Sequence, residues 1–248
     1  MKKIFFKNAR NQKICGILYE PDTESDEIII IIHGFSSTKD SGAKYIAEKL
    51  AKRKINSIRI DLDDRGKSEP RFGETTISSY VKTVNSTISY VKRLGYKDIS
   101  LLGTSLGGLI AMATALKYRD IKKLILRAPV ADYYELLLKR FNKNILTKFK
   151  KQGFYYYIRP DGEKLRVLYN FIEDSKKYSM YKKVKNIKCP VLILHGTKDQ
   201  IVNYRTSQKL VKGFEDAQLI LIKNADHGLS INGDLSQGLK IIADCVEK

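Results

Sequence analysis

Strand-like and helix-like segments alternate along this 248-residue chain, and the alternation predicts an α/β fold: a mostly parallel central sheet with helices on both faces. Three observations carry that expectation. Glu27–His33 contains five consecutive isoleucines, a pattern suited to a strand buried on both faces of a parallel sheet. Gly103-Thr104-Ser105-Leu106-Gly107 stands where a strand-like run passes into a helix-like one. Residues 130–188 alone break the rhythm. So long an excursion between two core strands predicts an inserted lid or cap rather than a connection.

The elements follow in order. Lys3–Lys7 and Lys13–Glu20 are β-prone around polar Asn8–Gln12, which predicts an opening hairpin. The isoleucine strand comes next, then a helix over Gly42–Arg53 and a short strand over Ile55–Ile60. Thr76–Leu94 places Tyr80, Val84, Ile88 and Val91 at helical spacing. Asp98–Gly103 is a strand, Leu106–Tyr118 a helix and Ile121–Arg127 a strand. In the excursion, Tyr133–Phe141 is apolar, and Arg159-Pro160-Asp161-Gly162 marks a turn between Phe154–Ile158 and a returning strand over Glu163–Leu168. Pro190–His195 and Gln218–Lys223 are the last strands, each followed by a helical stretch. The predicted core is therefore residues 1–129 with 189–248, and 130–188 is inserted.

Composition narrows the function. Hydrophobic residues make up 43% of the chain, enough for one sizeable core. Lysine and arginine number 46 against 27 acidic residues, a formal net charge of +19. The cations are spread through every segment rather than gathered in a stripe, which argues against a nucleic-acid partner. Cys15, Cys189 and Cys245 are odd in number and widely spaced, so neither a disulfide framework nor a zinc site is expected. Lys7 and Arg10 interrupt the apolar N-terminus, and the longest apolar run, Ile28–Ile32, is far too short to span a bilayer. A cytoplasmic protein without stable membrane insertion is expected, and a homodimer is compatible with the sequence.

The chemistry centres on Ser105. A serine in G-x-S-x-G between strand and helix sits on a strained turn that exposes its hydroxyl at the C-terminal edge of the sheet. The helix N-terminus behind it offers a backbone N–H to a developing oxyanion. A serine hydroxyl needs an imidazole to take its proton. Three histidines are available, His33, His195 and His227, all just past predicted strand ends. The order serine, acid, histidine selects His227 as base. Asp199, in the loop after the Pro190 strand, is the acid of choice, ahead of Asp226, which adjoins His227, and Asp174, which falls in the excursion. The backbone N–H groups of Leu106 and Phe35 are the expected oxyanion donors.

Several runs together resemble the α/β-hydrolase superfamily over nearly the whole chain: HGF at 33–35, RIDLDDRGKS at 59–68, GTSLGG at 103–108, CPVLILHGTKDQIV at 189–202 and ADHG at 225–228. Within it the chain is most similar to bacterial cinnamoyl/feruloyl esterases and monoacylglycerol-lipase-like hydrolases. The resemblance implies a triad of Ser105, Asp199 and His227, oxyanion donors Phe35 and Leu106, and a substrate-binding cap near 130–188. One departure stands out: Asp64 occupies the first glycine position of the usual G-x-G, in Asp64-Arg65-Gly66.

The activity expected is hydrolysis of a small-molecule carboxylic ester through an acyl-enzyme, with no metal or organic cofactor. The acyl group would meet lid aromatics from Tyr133–Phe141 and Phe154–Tyr157, and the lid residues expected to bind substrate are Tyr133, Tyr134, Leu137, Phe154 and Tyr156. The same triad could instead serve a monoacylglycerol or lysophospholipid lipase, a thioesterase, or an acyl-peptidase or amidase. A non-catalytic binding module is the alternative of another class, and loss of the serine or histidine would be its mark.

Overall fold

The computed structural model describes residues 1–63, 65–68, 75–159, 162 and 164–246. Asp64, Pro160, Asp161 and Glu163, on which the loop departure and part of the predicted turn fall, lie outside them.

The opening hairpin pairs β1 (Lys2–Lys7) with β2 (Lys13–Tyr19), both antiparallel in an eight-stranded sheet. The others are β3 (Glu27–Ile32), β4 (Ser57–Ile60), β5 (Asp98–Thr104), β6 (Ile121–Arg127), β9 (Val191–Gly196) and β10 (Ala217–Ile222). Their order is β1-β2-β4-β3-β5-β6-β9-β10, and every pair from β4 to β10 is parallel. The isoleucine run behaves as a two-faced strand. Ile28, Ile30 and Ile32 enter one apolar cluster; Ile29 and Ile31 enter the other. On the first face lie α2 (Ile77–Arg93), α3 (Leu106–Ala115) and α7 (Arg205–Val211); on the second lie α1 (Gly42–Ala51) and α8 (Ser236–Val246).

Local sequence explains the two helices that frame the site. At the start of α2, the Thr76 hydroxyl accepts from the Ser79 N–H at 3.0 Å and the Ser79 hydroxyl accepts from the Thr76 N–H at 3.1 Å. This reciprocal cap is worth about 1 kcal/mol. Helix α3 is apolar all round, and every residue but Ala113 is buried, as suits a central helix. It packs so closely on the sheet that side chains are excluded at two positions. A Cβ on Gly103 would run into the Gly107 carbonyl, and one on Gly107 would meet the carbonyls of Ile32 and His33.

Between β6 and β9 the excursion forms α4 (Tyr133–Arg140), α5 (Lys143–Gln152), an antiparallel hairpin of β7 (Phe154–Ile158) and β8 (Lys164–Leu168), α6 (Tyr169–Ser175) and a 3-10 turn at Val184–Asn186. Its inward residues, among them Tyr133, Leu137, Tyr155, Val167 and Phe171, join the α2–α3 cluster. Among the described residues no helix is long and apolar enough to cross a membrane.

If the β5–α3 contact sets the fold here, Gly103→Ala destabilises the protein by about 2–4 kcal/mol. Urea unfolding measures it; an unchanged midpoint would show that the contact yields without cost.

Candidate active site

Ser105 joins β5 to α3 with φ 55° and ψ −119°, in the left-handed half of backbone space that a residue bearing a Cβ avoids. Such strain costs on the order of 1–3 kcal/mol and persists only where surrounding structure enforces it. Here the Ser105 N–H donates to the Arg127 carbonyl at 2.9 Å, and the Ser105 carbonyl accepts from Gly108 and Val130 at 2.9 and 3.1 Å. Serine at a helix start ordinarily caps it through its hydroxyl. Ser105 makes no such side-chain bond. Its backbone is tied on both sides while its hydroxyl takes no part in holding the helix.

His33 is structural. It is buried, its Nδ1–H donates to the Gly34 carbonyl at 2.7 Å, and its Nε2 accepts from the Leu62 N–H at 3.1 Å. The two partners select one neutral tautomer. Burial lowers its pKa to about 4, against the Gly34 bond, which favours the charged ring. The imidazole thus fastens the Gly34-Phe35 turn to the loop after β4. Gly34 in turn lies against Ser105: a Cβ there would stand 3.4 Å from the serine Cβ.

Asp199 gathers the other two histidines. Its Oδ2 accepts from His227 Nδ1 at 2.6 Å and from His195 Nε2 at 3.0 Å, while Oδ1 accepts from the Ile201 and Val202 N–H groups at 2.8 and 2.9 Å. Burial alone would raise this carboxyl's pKa. The bonds from His195 and His227 outweigh it and hold the group well below the usual carboxylate range, so it stays ionised. His195 is fully buried, with Nδ1 2.7 Å from the Ser207 hydroxyl and Nε2 2.8 Å from the Val202 carbonyl. Every nitrogen of that ring is engaged. The His227 side chain, by contrast, is 21% exposed.

Sequence reasoning passed over Arg127. This buried residue ends β6, paired with Thr104 on one side and Leu194 on the other. Its carbonyl holds the Ser105 N–H, and its guanidinium Nη2 donates to the Gly228 carbonyl beside His227. One residue therefore links the serine turn to the histidine loop. Burial draws its pKa down to about 10, and Asp226 opposes that by favouring the charge. An arginine directly after the apolar run Leu124-Ile125-Leu126, at the inner end of a core strand, was the available signal.

The excursion delivers aromatic rings to Phe35. Tyr133, Tyr157 and Phe171 have centroids 5.7, 5.3 and 5.5 Å from it, and the Arg65 guanidinium lies 5.5 Å away over the same ring. Of the lid residues named from sequence, Tyr133 reaches this cluster and Leu137 is buried in the core beside it. Tyr134 is half-buried under Lys176. Phe154 and Tyr156 need correcting. Strand alternation sends Tyr155 and Tyr157 inward, so Phe154 and Tyr156 fall on the opposite face, where Tyr156 is 54% exposed and Arg166 covers Phe154. A run of four aromatics conceals which alternate pair faces in.

Comparisons with known proteins give the family and the fold. The model of the serine aminopeptidase S33 family matches residues 23–178 and 158–234, and the chain belongs to that family. It is thus a hydrolase of the α/β-hydrolase fold, of the serine class. It is 26% identical to the palmitoyl-protein thioesterase ABHD10, mitochondrial, of Bos taurus, over 89% of this chain and 73% of the relative. It is 22% identical to the monoacylglycerol lipase ABHD6 of Homo sapiens, over 81% and 70%. Among solved structures, ferulic acid-bound Est1E from Butyrivibrio proteoclasticus superposes with a TM-score of 0.83 at 23% identity, covering 98% of this chain and 97% of that one. Mouse alpha/beta hydrolase domain-containing protein 10 gives 0.82 at 23%, covering 100% and 99%.

The state of His33 sets a pH dependence. In the unfolded chain the ring takes a proton near pH 6.5; in the native protein it resists until about 4. The unfolded state binds more protons between those values, so stability falls as pH drops from 6.5 to 4. His33→Gln should remove on the order of 3 kcal/mol of that fall. Urea unfolding at pH 4.5 and 7 measures it; an equal pH dependence in both proteins would contradict the neutral, locked ring.

Proposed function

We propose that the protein hydrolyses carboxylic esters through an acyl-enzyme on Ser105. The observation that carries this reading is Ser105 itself, held at φ 55° with its hydroxyl unused for capping. His227 is the base: Asp199 occupies its Nδ1, which leaves Nε2 to take the proton as Oγ attacks the carbonyl carbon. Asp199 remains ionised and steadies the imidazolium. The tetrahedral oxyanion is received by two backbone N–H groups. Leu106 opens α3, whose first N–H groups have no carbonyl one turn back; Phe35 follows Gly34, which lies against the serine. His227 Nε2 then protonates the leaving alcohol, the C–O bond breaks, and water repeats the sequence to release the acid.

Residues 130–188 act as the substrate cap in this reading, and the rings around Phe35 are the surface for the acyl group. An aromatic wall suits a flat aryl acyl chain, in keeping with the ferulic acid held by the Est1E structure. The names of the ABHD10 and ABHD6 relatives point instead to thioesters and monoacylglycerols. A cytoplasmic site of action belongs to the proposal as well, and the ABHD10 name, which carries "mitochondrial", speaks for another compartment.

A panel of p-nitrophenyl esters of graded acyl length, a hydroxycinnamate ester, an acyl thioester and an aminoacyl amide tests the reading. Ester turnover is expected, with Ser105→Ala lowering kcat at least about 10³-fold and Asp199→Asn by roughly 10³–10⁴-fold. Wild-type rates in Ser105→Ala would refute the assignment. Turnover confined to the amide would move the protein to the peptidases.

A further inference from the structure

The hairpin of β7 and β8 has two dissimilar faces. Its inner face puts Tyr155 and Tyr157 against the aromatic cluster. The outer face carries Phe154, Tyr156 and Ile158 on one strand, paired with Leu168, Arg166 and Lys164 on the other. A column of apolar side chains therefore runs beside a basic one in solvent, with Tyr156 at 54% and Ile158 at 61% exposure.

The neighbouring helix is basic as well. Phe149 of α5 stacks on the inward-facing Tyr155 at 4.8 Å, which fixes α5 against the hairpin. Helix α5 carries Lys143, Lys148, Lys150 and Lys151 and no acidic residue, and it exposes Ile145. The basic charge, though dispersed along the chain, is not even. Residues 130–188 hold 15 Lys and Arg against 6 Asp and Glu, a net +9 in about a quarter of the sequence.

We propose that the outer face of this hairpin docks on an anionic phospholipid surface. Each half of the face fits a different layer of such a surface. Ile158, Tyr156 and Phe154 can enter the boundary of headgroups and acyl chains, where tyrosine's apolar ring and polar tip are both accommodated. Lys164 and Arg166, their cross-strand partners, would then meet the phosphates, and lysine and arginine near an anionic leaflet are attracted over about a Debye length. A second copy of the chain is disfavoured, because a symmetric pairing of this face would set one strongly basic surface against another. A nucleic acid would satisfy the cations but not an aliphatic side chain as exposed as Ile158. Docking in this way would leave Tyr157, on the reverse side of the same strand, over Phe35.

Vesicle flotation tests the proposal without any turnover, so its outcome is independent of the ester reading. The full chain is mixed with phosphatidylcholine vesicles, alone or with about one third phosphatidylglycerol. Retention on the anionic vesicles only is expected, falling steeply as salt is raised. Ile158→Asp and the pair Lys164→Glu, Arg166→Glu should each cut the bound fraction at least about fivefold. Both should keep the wild-type midpoint of urea unfolding, which shows that the variants fold. No retention on anionic vesicles, or equal retention of the variants, overturns it. So does sedimentation showing a dimer that Ile158→Asp dissolves, or a preference for single-stranded DNA over vesicles.

Discussion

The contact between β5, α3 and the end of β3 is the constraint on which the rest of the site depends. Gly103 and Gly107 bring backbone against backbone, with no room for a Cβ at either. The chain must then turn from strand to helix within one residue, and that residue is Ser105, at φ 55°. The strain is enforced by neighbours that are themselves rigid: an almost wholly buried α3, the Arg127 carbonyl on the Ser105 N–H, and Gly34 close against its side chain. A preorganised nucleophile follows from packing, because the cost of the turn is met once, on folding.

Charge is managed with the same economy. Asp199 is ringed by four donors on two oxygens, so it remains ionised despite burial, and it meets one structural and one accessible imidazole. His195 and His33 show how identical side chains divide roles. In both, the two ring nitrogens are used by fixed partners, and the rings serve as fasteners. His227 keeps one nitrogen outside that web and part of its surface open. Arg127 then couples the histidine loop to the serine turn through a single buried cation.

Much of this was legible beforehand, for definable reasons. The isoleucine run, the glycine-flanked serine and the histidines at strand ends are local signals, and β6 and the hairpin strands of the excursion fall within a residue or so of their predicted bounds. The facing of the four-aromatic run was not legible, since period-two alternation leaves its phase open until a partner is known; the partner is Phe35, more than a hundred residues away. Arg127 was missed because its side-chain partner lies about as far along the chain. The uneven basic charge was in the sequence all along, but only the hairpin register shows it lining up beside exposed apolar side chains.

The central claim is that Ser105 is an activated nucleophile. The most direct measurement is peptide mapping by mass spectrometry after treatment with a fluorophosphonate, which labels a serine whose hydroxyl is activated by a neighbouring base. One phosphonyl group per chain on the peptide containing Ser105, strongly reduced in His227→Ala, is the predicted result. An unlabelled Ser105, or label on another serine with Ser105 untouched, would contradict it.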